Sequence, residues 1–222
     1  MTLNAAEEES IEALKKWWDE SGKPLATAAI IIFAGYGGWL FWQNGQIAAS
    51  DAASDLYEEI LVLALTEAGV PVTDGERLEI LGLTSELMEV HGDTVYAQYG
   101  ALFAAQQQVA NDDLDAAESS LQWILENPLN GLFSSEDEGL ALTATLRLGR
   151  VILSKGEAER ALALVNNVDP KMFEAGFSEL RGDIYVAMDR FLDARDSYVA
   201  SQEAGSNSEA LQMKLDELPV TD

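Results

Sequence analysis

A chain of 222 residues without cysteine excludes disulfide bonds, thiolate metal sites and a cysteine nucleophile. Its 39 acidic residues outnumber 13 lysines and arginines and give a formal net charge of −26, which argues against a nucleic-acid partner because the phosphate backbone would be repelled. The length predicts one soluble domain in addition to a short apolar segment.

The first predicted helix lies in the leader, at residues 7–20. Four apolar residues recur there at spacings of three and four: Ile11, Leu14, Trp17 and Trp18. We interpret 1–23 as a leader with a short amphipathic helix at a membrane interface, and a disordered tail is the alternative. Gly22 and Pro24 are expected to end this helix.

The second element is an uncharged run at residues 24–42, PLATAAIIIFAGYGGWLFW. A helix of this length measures about 28 Å, close to the roughly 30 Å hydrocarbon core of a bilayer. Trp39 and Trp42 at its far end, like the two leader tryptophans, suit membrane interfaces. We therefore predict a transmembrane helix at 24–44. A buried core helix and a cleavable signal peptide are the alternatives, and the long run and the acidic leader argue against the signal peptide.

Lysines near this segment predict its orientation. Lys15, Lys16 and Lys23 precede the segment, and no lysine or arginine follows until Arg77. Positive charge favours the cytoplasmic side, so we expect a cytoplasmic leader, a single pass through the membrane and a large domain on its outer side. In a bacterium with two membranes that side is the periplasm. Residues 45–222 would then form a domain in the periplasm.

Two helices are predicted next. Apolar residues at helical spacing run from Leu56 to Leu65, and the turn cluster GVPVTDGE follows them. A further helix is expected over 76–90, closed by His91 and the adjacent glycine. With no second histidine to form a metal pair, His91 is interpreted as an ordinary helix-end residue.

The remaining sequence repeats itself with a period of about 34 residues, which is typical of helix-turn-helix solenoids. The three aligned segments are 99–128, 141–170 and 177–205, and their anchoring alanines are Ala117, Ala161 and Ala194. The polar insertion at 130–139 is predicted to be a surface loop. The fold class is therefore all-α.

The segments resemble the tetratricopeptide pattern, in which small residues let two helices approach closely while larger ones fill the space beside them. The third segment matches best, with Gly182, Tyr185, Phe191, Ala194, Tyr198 and Ser201. The second has Leu148, Gly149, Ala161 and Pro170, and the first has Ala105, Ala117, Leu121, Ile124 and Pro128. In the first segment Gln108 stands where an aromatic residue is usual. We assign all of these residues to packing.

No catalytic motif accompanies the repeats. The sequence contains no phosphate-binding glycine loop before a lysine, no nucleophile elbow and no HExxH. Acidic strings at 7–9 and 134–139 lack the ligand spacing of a calcium loop. We conclude that the protein is not an enzyme and expect no cofactor and no metal.

A helical scaffold of this kind points to protein binding. By analogy with the repeat family, the first helix of each pair would line a groove for an extended or helical client segment. The candidate groove residues are Tyr99, Leu102, Gln106 and Val109 in the first segment, Leu146, Arg150 and Leu153 in the second, and Glu179, Asp183 and Val186 in the third. The alternative is that a neighbouring helix packs on the apolar ones.

The apolar segment also carries a stripe of small residues. Ala34 and Gly38 lie one turn apart, and small residues allow close helix approach in lipid. They are the candidate intramembrane contact, with a plain anchor as the alternative.

Five stretches resemble the YfgM family, ancillary subunits of the bacterial SecYEG translocon. They are ALKKWWDESGKPLA at 13–26, GGWLFWQNGQ at 37–46, LRLGRVILSKGEAERAL at 146–162, ELRGDIY at 179–185 and ALQMKLDEL at 210–218. The order of these stretches over nearly the whole chain is more specific than any one of them. The sequence departs from the family pattern in its acidity and in the 130–139 insertion.

This resemblance implies an inner-membrane protein with periplasmic repeats that work beside the SecYEG translocon. The implied partners are a PpiD-like membrane-anchored chaperone and unfolded, newly exported proteins. The alternative function is that of a structural adaptor, which would organise a cell-envelope or cell-division complex without chaperone activity.

Overall fold

A computed structural model describes residues 5–18, 22–64, 72–129 and 138–219. Within these ranges the chain is helical and no β-strand occurs, as predicted. The helices are α1 Ala5–Trp17, α2 Lys23–Ala64, α3 Asp74–Val90, α4 Val95–Ala110, α5 Leu114–Glu126, α6 Glu138–Ser154, α7 Ala158–Asn166, α8 Glu174–Ala187, α9 Phe191–Glu203 and α10 Glu209–Glu217. A short 3₁₀ turn, Lys171–Phe173, precedes α8.

The chain divides into two compact units, Met1–Asp51 and Ala52–Asp222. In the first unit the large apolar side chains of the uncharged run are exposed, including Ile30, Phe33 and Trp42. Among the described residues, no helix has the length and apolar character that crossing a membrane requires. The transmembrane helix at 24–44 therefore stays a prediction, as do the three domain boundaries.

Helix α2 does not end where the sequence predicted a boundary. It begins at Lys23 and continues without a break through Asn44 and Gly45 to Ala64. A single glycine inside a long helix costs only about 1 kcal/mol, which is too little to end it. The first helix of the second unit is thus the continuation of the apolar run, and Leu65 lies outside the described residues.

Helix α3 begins two residues earlier than predicted because Thr73 caps it. The Thr73 hydroxyl accepts a hydrogen bond from the Glu76 backbone N–H, and the Glu76 carboxylate accepts one from the Thr73 N–H at 2.8 Å. This capping box satisfies two backbone donors that the helix cannot pair internally. The helix ends at Val90 as predicted, and the His91 N–H donates to the Leu87 carbonyl at 3.0 Å.

The same turn joins the helices of each repeated pair. Its central residue has a positive φ of 61° at Asp112, 80° at Gly156 and 57° at Asp189. In each turn the N–H of the following residue reaches back five positions, as in Glu157 to Ile152 at 3.2 Å, which is the hydrogen bond of a Schellman motif. The three turn residues lie five positions before the aligned alanines, so turn and alanine repeat together.

Small residues allow close approach both within a helix pair and between neighbouring pairs. The anchoring alanines 117, 161 and 194 are fully buried. A Cβ atom added to Gly149 would lie 2.8 Å from the Leu180 side chain, and one added to Gly182 would lie 2.2 Å from the Tyr198 ring. These distances leave no room for a larger side chain, and the packing role that the sequence predicted for both glycines is confirmed.

The helices of the second unit pack in chain order, each on the next, from α3 to α10. The largest core cluster runs through α4 to α8, a second one joins α2, α3 and α4, and a third lies between α9 and α10. In the first pair the Gln108 amide and the Ser120 hydroxyl are hydrogen-bonded at 2.8 Å, which explains why a polar residue replaces the usual aromatic. This arrangement confirms the predicted solenoid of helix pairs.

Only two residues of the predicted 130–139 loop are among the described residues. Residues 130–137 lie outside the described ranges, while Glu138 and Gly139 form the first turn of α6.

The tight contact at Gly182 predicts a large effect of one methyl group. Gly182→Ala should lower the free energy of unfolding by about 1 to 3 kcal/mol, because the Tyr198 ring is buried and cannot move aside. Gly82→Ala is the matched control, since Gly82 is also inside a helix but has nothing within 4 Å of its Cβ position. Thermal melts followed by circular dichroism should show a lower Tm for the first variant and an unchanged or higher Tm for the second. If Gly182→Ala and the native chain had the same Tm, helices α8 and α9 would not be packed as described.

Candidate protein-binding groove

Two adjoining cavities lie between α4 and α6, with volumes of about 110 Å³ and 340 Å³. They share Gln106 and Arg147, so they form one continuous groove. The residues that line it are Tyr99, Leu102, Phe103, Ala105, Gln106 and Val109 of α4, Leu114 and Leu121 of α5, and Arg147, Arg150, Val151 and Ser154 of α6. We call this the α4–α6 groove.

Helix α4 places all four of its predicted residues in the groove. Leu102 is buried and forms part of the floor. Gln106 and Val109 are exposed, and Tyr99 is half-buried at one end. The spacing of three or four residues along the helix puts these side chains on one face.

Helix α6 contributes only one of its three predicted residues, Arg150. Leu146 packs toward α8, where its side chain lies 3.0 Å from the Cβ position of Gly176. Leu153 is half-buried against the main core. Both leucines therefore pack against neighbouring helices, which is the alternative that the sequence left open.

In the third predicted set, Asp183 lines a different cleft of about 460 Å³, formed by α8, α9 and the segment from Lys214 to Pro219, and Glu179 is not among its lining residues. The Lys214 ammonium group donates to Glu179 and to Asp183, both at 2.8 Å. Val186 also lines this cleft. Helix α10 therefore packs against the face of the third repeat where the sequence had placed a binding partner.

Sequence reasoning missed several lining residues, of which Arg147 is the most informative. It lies one turn before Arg150, so the spacing of three residues was a signal that both share a face. Leu114, the first residue of α5, carried no comparable signal because its place depends on how the turn at Asp112 directs that helix.

Aromatic rings support one end of the groove. The Tyr57 ring of α2 lies 6.2 Å from the rings of both Tyr99 and Phe103, measured between centroids, and 5.7 Å from Tyr96. Burial raises the pKa of the Tyr57 hydroxyl above its usual value, and the nearby Tyr99 adds to the effect. Aromatic and apolar side chains therefore line this end of the groove together with Gln106 and Arg147.

The candidate intramembrane residues lie on α2 in the first unit. Ala34 and Gly38 are both exposed, and no atom lies within 4 Å of the Cβ position of Gly38.

The described residues contain no group of three histidine, aspartate or glutamate side chains that would hold a metal ion. His91 caps α3, and its carbonyl accepts a 2.7 Å hydrogen bond from the Thr94 hydroxyl. The arrangement around the groove suits binding and supplies no pair of groups poised for proton transfer.

Comparison with known proteins agrees with this fold. The family model of a tetratricopeptide repeat-like domain matches residues 15–220. A Haemophilus influenzae protein named ancillary SecYEG translocon subunit is 30% identical over 97% of this chain and 98% of its own length. The chain belongs to the family of ancillary SecYEG translocon subunits. Proteins of the same name from Escherichia coli K12 and Neisseria gonorrhoeae are each 27% identical, over 99% and 98% of this chain and 100% of their own lengths. No solved structure gave a significant match.

Membership of this family was predicted by the five sequence stretches and is confirmed. The match covers the leader from residue 15, the apolar run and all three repeats, so the groove belongs to the part that is shared.

A charged network fixes the second helix pair against the first. The Glu118 carboxylate on α5, largely buried, accepts hydrogen bonds from Lys155 at 2.7 Å and from Arg160. Lys155 also reaches Asp115. These contacts join α5 to the α6–α7 turn and to α7. The hydrogen bond from Arg160 is the main cause that lowers the pKa of Glu118 from 4.5 to about 2.

The lowered pKa of Glu118 predicts a pH-dependent contribution to stability. A carboxyl group with a depressed folded-state pKa stabilises fully above its unfolded value of about 4.5 and loses this effect as the pH falls toward about 2. Glu118→Gln should therefore cost about 1 kcal/mol near neutral pH, since the partners still reach water, and the difference from the native chain should shrink below about pH 4.5. Urea denaturation at several pH values measures this. Glu159→Gln is the control, because Glu159 is exposed and has no described ion pair, and a pH-independent difference for Glu118→Gln would contradict the assignment.

Proposed function

We propose that this protein is an ancillary subunit of the bacterial Sec translocon that holds segments of newly exported proteins in the α4–α6 groove. The observation that carries the proposal is the continuous groove with an apolar floor and an exposed polar rim, in a chain whose relatives are named translocon subunits. A scaffold of packed helices with such a groove suits the binding of another polypeptide.

The groove has the composition of a peptide-binding surface. Its floor contains Leu102, Leu121 and Val151, which are buried, while Gln106 and Ser154 are exposed at the rim. Apolar side chains of a client gain free energy by leaving water, and the rim groups can bond to its backbone. The volume suits a few side chains rather than a folded domain.

Attachment to the inner membrane forms the second part of the proposal. The uncharged run at 24–42 would be the anchor, with the leader in the cytoplasm and residues 45–222 in the periplasm. Support comes from the length of the run, from the tryptophans at its ends and from the three preceding lysines. The exposed apolar side chains of this part of α2 would then contact lipid.

The third part of the proposal concerns partners within the membrane. The face with Ala34 and Gly38 would contact the translocon or a membrane-anchored chaperone, because small residues allow close helix approach where lipid supplies no hydrophobic driving force. Both residues are exposed in the first unit, which leaves this face open for such a contact.

Two variants should separate the groove from the anchor. Gln106→Trp places an indole ring in the middle of the groove and should abolish suppression of aggregation of an unfolded exported protein, while co-purification with the translocon remains. Ala34→Leu with Gly38→Leu should weaken co-purification and leave aggregation suppression intact. Light scattering and purification from mildly solubilised membranes are the two measurements.

Ala163→Trp is the matched control for the groove variant, since Ala163 is exposed on α7 and lines none of the cavities described above. It should behave like the native chain in both measurements. Full aggregation suppression by Gln106→Trp would remove the groove from the proposed function. If the native chain neither suppresses aggregation nor co-purifies, a structural adaptor becomes the better description.

The proposed topology has its own test. Protease added to cells whose outer membrane has been opened should degrade residues 45–222 and leave a short anchored fragment, because the domain would face the periplasm. Immunoblotting with antibodies to the C-terminal region follows the loss. Protection of this region, with a periplasmic marker degraded in the same sample, would contradict the orientation.

A further inference from the structure

Most of the basic side chains of the second unit form ion pairs with described acidic neighbours. Ion pairs hold the following seven: Arg77, Lys155, Arg160, Lys171, Arg181, Arg190 and Lys214. Such pairing is expected where 39 acidic residues surround 13 basic ones. The arginines without an ion pair to a described residue are Arg147, Arg150 and Arg195, and two of these three line the α4–α6 groove.

The groove differs from the rest of the surface in a second way. None of the residues that line its two cavities is an aspartate or a glutamate. By contrast, the cleft under α10 contains Asp183 and Glu217, and a cavity beside the first turn of α6 contains Glu138 and Asp169. In a chain with a net charge of −26, the groove is therefore a local site of positive charge, with two guanidinium groups that form no ion pair with a described carboxylate.

We infer that the α4–α6 groove selects polypeptide segments in which apolar side chains are flanked by aspartate or glutamate. This inference rests on the proposed function and names the class of client that the groove prefers. The apolar floor would take the client's leucine or phenylalanine side chains, and Arg147 and Arg150 would pair with its carboxylates. Guanidinium groups suit this role because they bind carboxylates through two parallel hydrogen bonds.

The position of the arginines favours side-chain carboxylates over a chain terminus. Arg147 is shared by both cavities, and the groove continues on one side to Tyr99 and on the other to Leu114 and Ser154. A bound segment would therefore run past the arginines in both directions. Arg147 and Arg150 are one helical turn apart, which matches carboxylates on neighbouring residues of a client.

The negative charge of the whole chain does not prevent such binding. At physiological ionic strength charges are screened beyond about 8 Å, so a client inside the groove interacts mainly with the two arginines. The same screening limits repulsion by acidic residues on the outer faces of the helices.

Peptide binding to the full chain in a nonionic detergent tests this inference. The probe is a fluorescein-labelled peptide with leucine and phenylalanine flanked by glutamates, acetylated and amidated so that no terminal charge remains. Matched peptides carry glutamine or lysine in place of glutamate. Fluorescence anisotropy should show that Arg147→Gln with Arg150→Gln weakens binding of the glutamate peptide about 2- to 30-fold, as expected for two exposed ion pairs.

Two comparisons make the result specific to charge in the groove. The glutamine peptide should bind the native chain and the double variant equally, and Arg195→Gln should bind the glutamate peptide like the native chain, because Arg195 lies on α9 outside the groove. Circular dichroism confirms that the variants are folded.

Other outcomes separate the inference from the proposed function. Equal affinity of the native chain for the glutamate and glutamine peptides, or tighter binding of the lysine peptide, would overturn the charge preference and leave apolar binding in the groove intact. If none of the three peptides binds the native chain, the groove is not a client site and the proposed function fails with the inference.

Discussion

The architecture of the repeat unit depends on close approach between helix backbones at small residues. Gly149 and Gly182 each bring a large side chain of another helix, Leu180 and Tyr198, to within about 3 Å of where a Cβ would stand. The same type of turn, with a positive φ at Asp112, Gly156 and Asp189, then reverses the chain between the two helices of each pair. Because each pair is built alike, the first helices of successive pairs adjoin, and the α4–α6 groove forms where two of them leave a gap.

Local patterns predicted the helices well because both the alanine and the turn that precedes it repeat. All four predicted residues of α4 line the groove, but only Arg150 of the three on α6 does. The spacing of three or four residues does not reveal that Leu146 faces Gly176 of α8 rather than α4. The sequence did not reveal that Glu179 and Asp183 both pair with Lys214, because that residue comes from the distant α10. The continuity of α2 through Gly45 was also missed, since the cost of one glycine is small beside the stability of a long helix.

Charge has two roles in this acidic chain. Between repeats, the contacts of Lys155 and Arg160 with Glu118 join α5 to the next helix pair. Inside the groove, Arg147 and Arg150 have no described carboxylate partner, so their charge is available to a ligand. The paired cations thus stabilise the scaffold. The two arginines in the groove would determine the kind of segment that it binds.

The most direct test of the central claim places a photo-crosslinking amino acid at Gln106 of the full chain. Inverted inner-membrane vesicles that contain this variant would receive a radiolabelled exported polypeptide arrested midway through the translocon. The account predicts a crosslinked adduct with the arrested polypeptide from position 106 and none above background from position 163 on α7. Equal adducts from both positions, or adducts from position 163 alone, would contradict binding of exported segments in the α4–α6 groove.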